Sequence, residues 1–102
     1  LSLQKVAEVL NREVLNSNVA VEGHTDNDQI KYSSWASNWE LSSARSLAVL
    51  HYLVDECKVG PQRLSANGYG EFRPVAPNDS PENKQKNRRV EIVILPSKIS
   101  SK

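Results

Sequence analysis

The chain predicts an α+β fold, an α/β sandwich in which helices pack on one face of a mixed sheet. Apolar residues recur at helical spacing near the start, at Leu3, Val6, Ala7, Leu10 and Val14. Two apolar runs rich in β-branched residues, Val19-Ala20-Val21 and Val90 to Leu95, read as strands. The resulting order is helix, strand, helix, strand, short helix, strand, and such alternation sets helices against a sheet. The 102 residues make one domain of ordinary size. Residues 1–95 are expected to form it, with 96–102 as a frayed tail.

The first helix is expected over about residues 2–16, punctuated by Asn16-Ser17-Asn18. A strand follows over 19–22, with Gly23 ending it. Residues 27–37 read as a polar loop that holds Ile30, Tyr32 and Trp35. Ser37-Asn38-Trp39-Glu40 is a capping box: the serine hydroxyl and the glutamate three residues on satisfy two otherwise unpaired N–H groups. The helix it opens carries Leu41, Ala44, Ala48 and Tyr52 near one face, with Leu47, Leu50 and Val54 beside them. Gly60-Pro61 ends that segment. Arg63 to Asn67 suggests a strand, and Gly68-Tyr69-Gly70 a tight backbone turn. Beyond a proline-rich loop, Ser80-Pro81 opens a short helix to Lys86, as an N-cap followed by proline at the first helical position. Val90, Ile92 and Ile94 then alternate with Glu91, Val93 and Leu95 in a final strand expected to have a strongly buried face.

Bulk composition excludes several classes. A net charge of +1 gives no global attraction to nucleic acid or acidic membranes. No apolar stretch approaches the ~20 residues of a membrane span, and no signal peptide is visible. Beginning at Leu1, the chain reads as a fragment or a processed product. The single cysteine, Cys57, allows neither an internal disulfide nor a thiolate metal site; it reads as a half-buried residue near a helix end.

The residues that carry chemistry are one carboxylate and several guanidiniums. Asp26 follows the first strand, where open sheets commonly hold ligand residues; its alternative role is an Asx-turn. Arg45 lies one helical turn after Leu41, and its planar fork suits a carboxylate better than solvent. The helix N-terminus at Asn38 offers N–H groups to an anion. Thr25, Asn38, Leu41, Asn87 and Arg88 form a second rank; Thr25 and Asn38 can bond a ligand or cap local backbone. Arg89 reads as a solvated or salt-bridging residue. His24 beside Asp26 lacks both an activated nucleophile and the further ligands a zinc site needs. Trp35 and Trp39 can stack on sugar rings, but anchoring the long loop is the blander role.

Taken in order, Gly23-His24-Thr25-Asp26, Asn38-x-x-Leu41-Ser42-x-x-Arg45, Arg63-Leu64-Ser65, Gly68-Tyr69-Gly70-Glu71 and Asn87-Arg88-Arg89-Val90-Glu91-Ile92 resemble the OmpA-like peptidoglycan-binding domain over about residues 19–95. The long loop before Asn38 and the Ser37 to Arg45 segment look like the branch found in flagellar motor stator subunits. The resemblance implies a non-catalytic domain with no cofactor and no metal, bound to peptidoglycan on the extracytoplasmic side. In that family the residue matching Asp26 contacts diaminopimelate of the stem peptide, and the one matching Arg45 holds its carboxylate. The pair then forms a clamp for a zwitterion. The stator branch further implies a homodimer, a MotA-type partner subunit reached through an absent membrane segment, and no nucleic acid. Two departures stand out: Ser46 replaces the usual alanine, and a strand that normally precedes the first helix would lie upstream of Leu1. The rival readings are a general envelope anchor of the OmpA/Pal type and a cell-wall hydrolase.

Overall fold

The computed structural model describes residues 2–12, 17–30 and 35–95. It contains α1 (Leu3–Arg12), β1 (Val19–His24), α2 (Asn38–Asp55), a 3-10 turn (Pro61–Arg63), β2 (Leu64–Gly68), α3 (Pro81–Asn87) and β3 (Arg89–Ile94). The last expected turn of the first helix, 13–16, and the tail, 96–102, lie outside the described residues. The strands form one mixed sheet in the order β2-β1-β3, with β1 parallel to β2 and antiparallel to β3. No helix among the described residues is long and apolar enough to cross a membrane.

Both longer helices lie on the same side of this sheet. Ala7 and Leu10 of α1, Leu53 of α2, Val59, and Val19 and Val21 of β1 make one buried cluster. Fully burying a side chain such as Leu10 or Leu53 contributes about 1.5–3 kcal/mol. Side chains alternate along a strand, so Val90 and Ile92 of β3, opposite Gly23 and Val21, join this cluster. Ala20, Glu22 and His24 point to the other face, opposite Val93, Glu91 and Arg89. Among the described residues β3 pairs on one edge only. An apolar groove lined by Val6, Val9, Leu10, Val90, Ile92 and Ile94 runs between it and α1.

β1 runs through Gly23 to His24, where the glycine was expected to end it. Gly23 serves the helix and not the turn. A Cβ at this position would sit 2.1 Å from the backbone oxygen of Ser42, so α2 touches the strand backbone directly. The buried face of α2 follows from this approach. It runs through Ser42, Ser46 and Leu53, whereas Leu47 and Ala48 of the expected apolar stripe are exposed. Small side chains fit the close contact. Their hydroxyls are satisfied locally, Ser42 Oγ donating to Trp39 O at 3.0 Å and Ser46 Oγ to Ser43 O at 2.9 Å. Ser46, the departure from the family pattern, thus sits buried without an unpaired hydroxyl.

The helix ends follow their local sequence. Ser37 caps α2, accepting from Trp39 N at 3.1 Å and donating to Glu40. These bonds hold the Glu40 carboxyl below its ordinary range. Ser80 caps α3 by accepting from Asn83 N at 3.1 Å, with Pro81 next. α2 stops at Asp55, ahead of Gly60-Pro61, because Lys58 takes a left-handed conformation (φ 61°). Val59 N then donates to Leu53 O at 3.0 Å, and the Val59 side chain returns to the core. Arg63 closes the far end, donating to Ser17 O at 3.0 Å and Leu10 O at 2.9 Å.

Replacing Gly23 by alanine drives a methyl group into the α2 backbone. Chemical denaturation of Gly23→Ala should show a loss of about 3 kcal/mol or more. A loss below about 1 kcal/mol would mean that α2 can stand off from the strand.

Candidate functional site

The carboxyl end of β1 meets the start of α2, the loop after β2 and the start of β3. Asp26 is buried there, 6% exposed. Its Oδ1 accepts from Asp28 N at 2.9 Å, which is the Asx-turn geometry. Its Oδ2 pairs with Arg88 Nη1 at 2.5 Å. Turn former and ion-pair partner are therefore roles of the same carboxylate, carried by different oxygens. Topology brings Arg88 here: β3 runs antiparallel beside β1, so the residue preceding it arrives at the end of β1.

Asn38, the first residue of α2, ties three segments together. Its Nδ2 lies 3.4 Å from Asp26 O, 3.1 Å from Asp28 O and 3.2 Å from Glu71 Oε1. Its Oδ1 has no donor among the described residues. Thr25 is buried and turned inward; its hydroxyl donates to Asp26 O at 2.7 Å, and its N–H to Gly70 O at 2.9 Å. Gly70, at φ 61°, makes the turn foreseen around Tyr69, and its N–H donates to Ser42 Oγ at 2.9 Å. Lys84 of α3 closes the rim through Asp28 at 2.7 Å, a contact that raises the lysine ammonium above its ordinary value. A groove of ≈ 360 Å³ lies between Asp28, Asn78, Ser80, Lys84 and Arg88.

Arg45 and Leu41 sit half-buried on α2. By helical spacing Arg45 lies between Leu41 and Ala48 of the expected apolar stripe on one side and Ser42 and Val49 on the other. Among the described residues no carboxylate lies within ion-pair distance of Arg45. Asn87 behaves differently from a pocket residue. It is fully buried, its Oδ1 accepts from Val75 N and Ala76 N, and its Nδ2 donates to Ala76 O and Asn78 Oδ1. All its side-chain capacity goes into fixing the loop before α3. Arg89 pairs with Glu91 at 2.5 Å, as its salt-bridging reading anticipates. Trp39 stacks on Phe72 with ring centroids 5.0 Å apart, both rings exposed, and shares a shallow groove with Trp35 of the loop. Asp28, Glu71 and Lys84 were not singled out from the sequence. Only Glu71 had a local signal, its place directly after Gly68-Tyr69-Gly70.

The structure sets a buried acidic strand end, with amide and guanidinium groups around it, on a mixed sheet covered on one face by helices. The chain belongs to the OmpA family, whose model matches residues 2–88. It is 45% identical over 91 residues to motility protein B of Bacillus subtilis, covering 87% of this chain and 35% of that protein. The chain thus spans about a third of the length of that curated relative. The crystal structure of the C-terminal domain of Helicobacter pylori MotB superposes with a TM-score of 0.88 at 33% identity, covering 92% of this chain and 70% of that one. The cell wall anchor of the T6SS from Pseudomonas aeruginosa gives a TM-score of 0.80 at 36% identity, covering 91% and 63%. The α+β fold and the OmpA-type assignment both stand on these matches.

One histidine adds a pH term. Burial lowers the His24 pKa from its ordinary 6.5, aided by Arg89 and opposed by Glu91 and Glu22. Below pH 6.5 the unfolded imidazole binds a proton that the folded one refuses. Its contribution to stability is therefore complete above that pH and is lost as pH falls through it toward the folded value. Urea unfolding should show stability declining as pH drops below 6.5, and His24→Gln should flatten that decline. An unchanged slope in the variant would contradict the assignment.

Proposed function

We propose that this domain binds peptidoglycan without catalysing a reaction and fixes a flagellar motor stator to the cell wall, on the extracytoplasmic side of the membrane. The observation that carries the reading is the strand-end constellation in a chain of this family. A buried Asp26 carboxylate faces Arg88, the Asn38 amide reaches the Asp26 backbone carbonyl, and Arg45, on the helix that Asn38 opens, has no carboxylate partner among the described residues. Such a pair of opposite charges suits a zwitterion, the free amino-acid end of diaminopimelate in the stem peptide.

The ligand's ammonium would share Asp26, whose buried position strengthens a charge-assisted hydrogen bond. Arg88, with its side chain 40% exposed, can swing toward solvent at little cost when the ammonium arrives. The ligand's carboxylate would take Arg45, whose guanidinium offers two parallel donors. Arg45 follows Asn38 by two helical turns, about 10 Å along the axis. Helical side chains lean toward the N-terminus, which brings such a long side chain back toward the strand end. Thr25, Asn38, Leu41 and Arg88 would border the ligand, while Asn87 would hold the neighbouring loop in shape. No cofactor is needed.

In the whole protein, a membrane segment outside this chain would join a MotA-type subunit and form a homodimer. Wall attachment would then let ion flow turn the rotor and not the stator. The likeness to a T6SS wall anchor supports a second reading, a general envelope anchor that uses the same ligand for a different machine.

Sedimentation with insoluble peptidoglycan tests the binding. Asp26→Asn and Arg45→Ala should each weaken retention by about tenfold or more, the worth of one charge-assisted hydrogen bond. Both variants should still unfold cooperatively. Full retention in both would sink the clamp, and release of soluble wall fragments by the wild type would favour a hydrolase.

A further inference from the structure

The face of the sheet away from the helices carries a second polar constellation. Glu22 and His24 lie two residues apart on β1, on the same face, and Glu91 of β3 stands directly opposite Glu22. One carboxylate oxygen from each glutamate and an imidazole nitrogen all lie within 4.8 Å of one another. His24 is 2% exposed, and neither of its ring nitrogens has a hydrogen-bond partner among the described residues. Its Nε2 sits 4.0 Å from Glu91 Oε2. Like charges directly opposite across a strand pair repel, and a buried imidazole with both nitrogens unpaired calls for an ion or water that satisfies it.

We propose that Glu22, His24 and Glu91 bind a divalent transition-metal ion of the zinc class. One nitrogen and two carboxylate oxygens suit zinc and its neighbours, whereas magnesium and calcium favour all-oxygen sites. The ion would cancel the Glu22–Glu91 repulsion and cross-link β1 to β3. Coordination would need side-chain rotations that bring the present separations, within 4.8 Å of one another, to coordination length. Supporting groups are in place. Tyr69 stacks on His24 with centroids 5.4 Å apart, fixing the ring, and its hydroxyl makes a long 3.5 Å contact to Glu22 Oε2.

Two cations border the site. Arg73 lies over the Tyr69 ring at 4.1 Å, close enough to act electrostatically on His24. Arg89 competes directly through Glu91 Oε2, but it also donates to Asn87 O at 3.1 Å and Arg73 O at 3.0 Å. It therefore keeps partners when Glu91 turns to a metal. This site lies on the outer face of the sheet and shares no residue with the strand-end constellation, so wall binding and metal binding can fail independently.

Titration calorimetry of the chelator-treated domain with zinc chloride tests the proposal, with magnesium and calcium chloride as comparison arms. The wild type should take up one zinc per chain, with a raised thermal unfolding midpoint, and neither magnesium nor calcium should do the same. Glu22→Gln and Glu91→Gln, both on incompletely buried side chains, should weaken zinc by about tenfold or more, and His24→Gln should abolish stoichiometric uptake. His51→Gln and Cys57→Ser, which remove the other soft ligands, should leave it intact. Absence of stoichiometric zinc binding overturns the proposal. So does binding that survives both glutamate substitutions or is lost in the His51 or Cys57 variant.

Discussion

The contact on which the rest of the molecule depends is the approach of α2 to the backbone of β1. Gly23 has no side chain, and Ser42 rests against it. A helix held that close to a strand fixes its own N-terminus relative to the strand end. Ser42 then accepts from Gly70, Gly70 accepts from Thr25, and the Asn38 amide bridges Asp26, Asp28 and Glu71. A larger residue at position 23 would lift the helix and break this chain of bonds at its first link.

Around that frame the strand end gathers charge at low cost. Asp26 is buried, yet both of its oxygens are occupied, one by a backbone N–H and one by a guanidinium. A carboxylate so held is fixed in direction before any ligand arrives, and preorganisation of this kind reduces the cost of binding. Arg45 is the complement, a half-buried guanidinium without an ion pair among the described residues. The proposed clamp uses this difference between an acid already in place and a base still open. The outer face of the sheet is separate, and its buried, unpaired imidazole has no counterpart at the strand end.

What the sequence made legible was local. The Ser80-Pro81 helix start and the alternating final strand depend on neighbouring residues and appear where read, although β3 is only half-buried; at Ser37 the N-cap forms with Glu40 accepting from the serine hydroxyl. Gly23 reads locally as a strand terminator because its real partner, the backbone of Ser42, is distant in the chain. The buried face of α2 was misplaced for a related reason: serines look polar until their hydroxyls find the carbonyl three residues back. Asp26 and Arg88 were both singled out, but their pairing required knowing that β3 lies antiparallel to β1. Nothing in the local sequence marks Asn87 as a loop brace, because the partners of its four hydrogen bonds lie nine to twelve residues away. The cluster of Glu22, His24 and Glu91 is invisible in the local sequence because Glu91 meets the other two only across the sheet.

The central claim is that ligand binding happens at the end of β1. Backbone amide shifts, followed while a soluble stem peptide containing diaminopimelate is added to the domain, test it most directly. The account predicts saturable shifts concentrated at Thr25 to Asp28, Asn38 to Arg45, Glu71 and Arg88. Shifts confined to the groove between α1 and β3, or to the outer face of the sheet, would contradict it.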